Sequence, residues 1–322
     1  MNYSTILEIF YSFFGGVIGA AIGGLNAYIL CGLSLIIGTI INLFSAHPSS
    51  ANIISWGPLL GPHVAFAGGV AAAAYAASVG KITTGRDIVT RLARFNAPVI
   101  YAVGGVFGVA GFLLKLCADM IPPVRGVPRI NSIAFSITVS AIVVRLLFGK
   151  SGLLNSFKDP FVSWQPWKYG YNVFIIAAAG LAAISASVVH QFPSMLGIMF
   201  GIASLSLLLL YFKMKIPIVL HIAWAAEFTA FLSGDIGWGI AFGILAAIIG
   251  EICAHLFLVD GDTHIDPPAM SLTIVFSVYA LLVSLGWVEA LKPYSFVIAA
   301  LTFMAGFIVF NLRETRPQKN PG

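Results

Sequence analysis

Apolar residues in this chain run in long unbroken blocks, with neither the alternation of a half-buried strand nor the stripe of a surface helix. No residue from 9 to 80 carries a formal charge. Apolar stretches of about 20 residues match the hydrocarbon thickness of a bilayer. The blocks predict spans near 97–118, 131–148, 171–190, 193–212, 216–233, 236–259, 270–291 and 294–312. Ahead of them lies a long apolar run, 6–44, read as one tilted helix plus a broken piece or as two short helices. A Pro/Gly/Ser-rich passage then leads into an Ala-rich segment, 64–79. The expectation is an all-α bundle of about ten transmembrane segments in one integral membrane domain, with lipid as its first partner.

Composition agrees. The chain is 59% hydrophobic and 9% charged, with mean hydropathy +0.97. Soluble domains are nearer a quarter charged. The first basic residue is Lys81, so no charged n-region precedes the apolar run and a secretory signal peptide is not expected. The sequence pI of about 9.1 comes from Lys and Arg at segment ends, which fits membrane orientation rather than nucleic acid. The connector around 81–94, the loop 149–168, the Lys213 region and the C-terminal tail are all basic. Counting crossings puts them on one face, which the positive-inside rule makes cytoplasmic, with the C-terminus and residues 260–266 on that side. Arg125 and Arg129 fall on the other face, against the rule. Cys31, Cys117 and Cys253 lie in apolar runs without a pairing pattern and read as packing residues.

Small residues recur at helical spacing: Gly15, Gly19 and Gly23; Gly104 and Gly108; Gly239 and Gly243. They let helix backbones approach closely, either within the bundle or across a homo-oligomer face. Two passages also resemble each other. The Gly-ridged run from Gly15, followed after a loop by "GPHVAFAGGVAA", parallels "GWGIAFGILAAIIG", followed after a loop by "GDTHIDPPAMSL". The crossing count gives their second helices opposite senses. That suggests an inverted repeat, with units near 1–165 and 170–322, as in many transporter folds.

Candidate chemistry is concentrated in a few places. Residues 251–270 hold Glu251, His255, Asp260, Asp262, His264 and Asp266. Carboxylate and imidazole ligands together suit a divalent metal ion, and a solvated acidic loop is the plainer alternative. Asp266 before Pro267-Pro268 reads as a helix N-cap. Glu227 falls in mid-span, where an unpaired charge is expensive, so a cavity or a partner is expected around it. His221 lies six residues earlier, nearer the end of that span. His63 sits at a helix start after Gly61-Pro62, and Asn26 is a polar residue in the first apolar run. Lys115 and Asp119, four apart, read as a local pair, and Arg145 and Lys150 as interfacial anchors. No P-loop, GxGxxG, HExxH or nucleophile elbow is present.

"GPHVAFAGGVAAAAYAA" and "GDTHIDPPA" resemble segments of a family of prokaryotic polytopic membrane proteins that brings no assigned activity. The resemblance implies that both loops are family features in a prokaryotic cell membrane. From the residues themselves, the leading reading is a transporter or channel for a small ion or solute, a cation foremost, with Glu227, His63, His264, Asn26 and His221 along its pathway. A membrane-embedded metal-dependent enzyme and an accessory subunit of a larger membrane complex are the alternatives.

Overall fold

The computed structural model describes residues 3–44, 52–154, 170–214 and 216–314. They form α1 (Tyr3–Ile22), α2 (Gly24–Phe44), α3 (Asn52–Trp56), α4 (Ala67–Ser78), α5 (Pro98–Asp119), α6 (Ser132–Phe148) and α7 (Gly170–Gln191). There follow α8 (Ile198–Leu205), α9 (Leu220–Ser233), α10 (Ile236–Cys253), α11 (Pro267–Ser284), α12 (Trp287–Ala290) and α13 (Ser295–Glu314). Among the described residues there is no strand, and eight helical segments are long and apolar enough to cross a membrane. The protein is an all-α integral membrane bundle.

The first apolar run is two full helices. Gly23, at φ +91°, breaks α1 from α2 in the left-handed region that glycine enters without steric penalty. The run 193–212 is also broken: Gly197 at φ +95° precedes α8, which tightens into a 3-10 segment, Ser206–Phe212. The segment expected at 270–291 ends at Ser284, where Gly286 turns the chain.

The small-residue ridges are consumed inside the bundle. Gly16 packs on Gly104 and Gly108, and Gly68 of α4 closes onto the same point. On α10, Gly239 and Gly243 meet Ala186 and Ala182 of α7 and Ala226 of α9. A methyl group at any of these glycines would lie within 3 Å of a neighbour, so close helix contact is what each position supplies.

These contacts also give helix direction. Ser12 lies by Gly108 and Gly16 by Gly104, so α1 is antiparallel to α5. His63 meets Gly111 and Gly68 meets Gly104, so α4 is antiparallel to α5 as well. By the same test α7 and α9 are antiparallel to α10. Gly237 meets Ser295 and Gly306 meets Ile248, so α13 runs parallel to α10.

One end of the bundle carries the connector between α4 and α5 together with the loop between α10 and α11. Gly85 bridges Thr263, and the Arg86 guanidinium donates to the Val259 carbonyl. The loop between α5 and α6 lies at the other end, because α6 separates it from the residues that Arg145 grips at the far end of that helix. At about 1.5 Å per residue, α6 spans roughly 25 Å. The tail 315–322, part of the orientation argument, lies outside the described residues, as does most of the basic loop 149–168.

Between α2 and α4 the chain dips inward. Ser55 of α3 accepts the Cys31 thiol on its carbonyl at 3.1 Å and donates from its hydroxyl to Ser34 at 3.3 Å, halfway along α2. Leu59 then packs on Gly15, midway along α1. Irregular backbone at this depth requires shielding by protein, and the glycine at 15 leaves room for it.

Candidate functional site

The cluster of groups with chemical potential lies where α10 ends and α11 begins. After Cys253 the helix widens into a π turn, Ala254–Leu258, and then opens into a loop. It restarts at Asp266, whose Oδ2 accepts the Ala269 N–H at 2.9 Å. Pro267 and Pro268 fill the first turn, where no intrahelical N–H is needed. The same carboxyl holds His264, Nε2 to Oδ1 3.3 Å.

This corner encloses a cavity of about 140 Å³. Its polar lining is His221, Glu251, His264, Asp266 and Tyr28, and its apolar lining includes Leu25 and Phe66. His221 is brought in from the start of α9. Its ring fits because residue 250 is glycine; a Cβ there would stand 2.6 Å from Nε2. Neither His221 ring nitrogen has a hydrogen-bond partner among the described residues, though the side chain is buried. The His264 ring meets the Phe66 ring edge-on at 5.8 Å. Glu251 and Asp266 are both buried. Two carboxyl groups and two imidazoles thus face one small volume, and groups of these kinds at membrane depth are the ones that bind cations or carry protons.

The six residues expected as a metal set are divided. Glu251, His264 and Asp266 line the cavity, whereas His255 sits on the π turn outside its lining and Asp260 is exposed. Asp262 points away from the cavity, to the end of α6. Its Oδ1 accepts the Ser151 hydroxyl at 2.8 Å, and its Oδ2 accepts the Lys150 and Ser151 N–H groups. Among the described residues no three His, Cys, Asp or Glu side chains are grouped so as to hold a metal ion. The loop 260–266 is shaped by the Asp266 cap at one end and by the hydrogen bonds of Arg145 along it.

Arg145 is not an interfacial anchor. Its side chain is buried, with Nε donating to the Thr263 hydroxyl at 2.5 Å and Nη2 to the carbonyls of Thr263 and Phe257. Nη1 reaches the Gly152 carbonyl at 3.2 Å, and Nε lies 3.6 Å from Asp262. The guanidinium therefore fixes the loop that carries His264. Gly261 is needed beside it, since a Cβ would lie 2.2 Å from Nη2.

The other expected pathway residues lie elsewhere. Glu227 is 0% exposed, but its oxygens accept the Met199 N–H at 2.9 Å and the Phe200 N–H at 3.2 Å. It caps the N-terminus of α8 from a neighbouring helix, where the helix dipole favours an anion, and it lines none of the cavities described. His63 is fully buried, with no hydrogen-bond partner for either nitrogen among the described residues. Asn26 donates to the Ile22 carbonyl and accepts from the Tyr211 hydroxyl at 2.8 Å, tying α2 to the 3-10 segment after α8. Lys115 and Asp119 form their local pair at 2.5 Å. Sequence reasoning missed Tyr28, Phe66 and Arg145 as parts of the site; the residues each one meets are far away along the chain.

No curated protein and no solved structure matches the chain. The model of a family of unknown function, DUF7973, matches it over residues 1–170 and 155–295, and the chain belongs to that family.

Proposed function

We propose that the protein is a transporter for a small cation, built from two units of opposite sense: α1 to α6, and α7 to α11. The observation that carries the reading is the cavity of about 140 Å³ in which Glu251, Asp266, His264 and a His221 without a hydrogen-bond partner among the described residues meet between α10 and α11. Titratable side chains gathered around a cavity within a membrane bundle are how many carriers mark an ion pathway.

Residue matches support the two units. Residues 124–131, Val-Arg-Gly-Val-Pro-Arg-Ile-Asn, align with 259–266, Val-Asp-Gly-Asp-Thr-His-Ile-Asp. The same register matches Gly104, Phe107 and Gly108 with Gly239, Phe242 and Gly243, and Ala134, Ser136 and Thr138 with Ala269, Ser271 and Thr273. Asn131 caps Ala134 as Asp266 caps Ala269. His63-Val64-Ala65-Phe66-Ala67 parallels His221-Ile222-Ala223-Trp224-Ala225. Packing repeats too: Gly68 on Gly104 in one half corresponds to Ala226 on Gly239 in the other. The hydroxyls of the matched residues Thr138 and Thr273 stand 3.4 Å apart, as a two-fold axis between α6 and α11 requires. The senses agree, since α5 leaves the end that α10 approaches. This register replaces the one suggested by the Gly15 and Gly237 runs, whose helices α1 and α10 run the same way. The end bearing Lys81, Arg86, Arg91 and Arg94 is the cytoplasmic one in this reading.

The test is uptake of rubidium and of methylammonium into liposomes holding the purified protein. His221→Ala and Glu251→Gln are each expected to lower uptake on the order of tenfold or more, as loss of a buried coupling group would. Folded variants that both retain full uptake would overturn the reading.

A further inference from the structure

Resting on the transport reading, we infer that the pathway leaves the acidic cavity through an aromatic constriction and ends in a second cavity at the opposite end of the bundle. Three cavities lie in series. The acidic one shares Tyr28 with a small central space of about 30 Å³. That space shares Asn131 and Ile133 with a third cavity of about 310 Å³, next to the loop between α5 and α6.

The outer two are built from matched positions. Where the acidic cavity has His264, Asp266 and Pro268, the third has Arg129, Asn131 and Ile133. The central space is lined by both members of the matched pairs Ala134 and Ala269, and Ile137 and Leu272, as expected for a volume on the axis relating the units. Because the outer cavities lie at opposite ends of α6, the series crosses the bundle.

What closes it is aromatic. Trp56 stands 5.1 Å from Phe200 and 5.3 Å from Trp224, centroid to centroid, and Phe200 stands 5.8 Å from Trp224. Tyr28 completes the set against Phe200 at 6.1 Å. A space of about 30 Å³ holds about two water molecules, so a hydrated ion does not pass. Hydrophobic constrictions of this kind gate by excluding water. When the rings part, their π faces meet a cation that has shed its shell, an attraction strongest at Trp. Trp56 rides on the inward-dipping α3, and Trp224 and Phe200 belong to α9 and α8. The gate therefore joins both units, and any movement between them acts on it directly. The solute class that fits is a small monovalent cation.

The experiment uses the full chain in sealed liposomes, its three cysteines replaced, with Leu258→Cys in the acidic cavity or Ser132→Cys in the third. A membrane-impermeant maleimide is expected to label the two positions from opposite faces. Trp224→Ala is expected to raise the passive leak of rubidium and methylammonium on the order of tenfold above the parent, and labelling of Leu258→Cys is expected to block it. Trp56→Ala serves as the second variant if Trp224→Ala does not fold. Labelling from one face only, or folded gate variants without leak, would overturn the proposal. The transport reading fails separately, through uptake that does not depend on His221 and Glu251. The leak needs neither residue, so the two failures are distinguishable.

Discussion

The loops between α5 and α6 and between α10 and α11 share a backbone plan and differ in charge. Both place a glycine two residues after the shared valine, at Gly126 and Gly261. Both end on a short polar side chain that caps the next helix. Between these fixed points the first loop carries Arg125 and Arg129, and the second carries Asp260, Asp262 and His264. The shared positions are those that fold the turn. The positions between are free to differ: His264 lines one cavity and Arg129, along with Asp119, lines the other, while the carboxyl groups of the first cavity come from Glu251 and the capping residue Asp266. Support differs as well. The second loop is pinned by the buried Arg145, whereas the matching helix, α11, has Ala280 at that place and its neighbour Arg125 is exposed.

The largest effect should come from removing that support. Arg145→Met keeps the apolar stem but leaves the Phe257 and Thr263 carbonyls without their donor and frees the loop. It is expected to destabilise the protein by about 3 kcal/mol, read as a lowered melting temperature in detergent. Arg125→Met, its contrast in the other loop, should stay within about 0.5 kcal/mol. Equal effects would show that the two loops are held alike.

Next comes Glu227→Gln. In the proposed repeat its match is Gly69, which packs directly on Gly24 at the break before α2. Glu227 instead accepts two N–H groups at the start of α8. Glutamine offers an acceptor to one and turns its own N–H₂ on the other, so a loss of about 2 kcal/mol is expected. An unchanged melting temperature would mean that the cap is dispensable. A smaller effect on stability, with a sharper one on activity, is expected for Asp266→Asn. Asparagine caps as well as aspartate, so stability should hold within about 0.5 kcal/mol. The cavity loses one of its two carboxyl groups, and uptake should fall on the order of tenfold, or about 1.4 kcal/mol. Asn131→Asp is the reciprocal change and should leave the cap intact. If Asp266→Asn transports normally, the charge difference between the loops is not functional.

Features whose cause is local were legible in the sequence. Length and hydropathy gave the all-α membrane bundle because a helix satisfies its own backbone in lipid. The Asp266 cap with its two prolines and the Lys115–Asp119 pair need only neighbours within four residues. Arg145 was misread because the groups it binds lie 112 and 118 positions away. Position near a helix end was the sole local cue, and that cue also fits an anchor. Glu227 was recognised as costly to bury, but its partners on α8 could not be named from spacing. Glycine-rich helices suggested a repeat in one register, and such helices match one another easily. The register proposed above rests instead on two loops that share Val, Gly and Ile before a capping residue. The aromatic constriction had no sequence signature, since its rings come from α2, α3, α8 and α9.

The smallest expected effect concerns acid, and it separates Asp262 from its counterpart Val127. Partial burial alone would raise the Asp262 pKa. The Lys150 N–H, the Ser151 hydroxyl and the nearby Arg145 charge outweigh it and hold the carboxyl below its ordinary value. A carboxylate whose folded pKa is depressed contributes stability that is fully present above the unfolded value, about 3.9 for aspartate. That contribution is lost as pH falls through the lower folded value. Because the side chain is 38% exposed, solvent screening keeps the contribution modest. Asp262→Asn should therefore melt below wild type by the same small margin at pH 7 and pH 5, and the margin should shrink only below about pH 4. The comparison needs the protein in one detergent at each pH, so that changes in other carboxylates cancel between the two chains. A margin that already closes between pH 7 and pH 5 would mean that Asp262 takes up its proton in the ordinary range or above it. The turn formed by Lys150 and Ser151 would then not be what holds the acidic loop against α6.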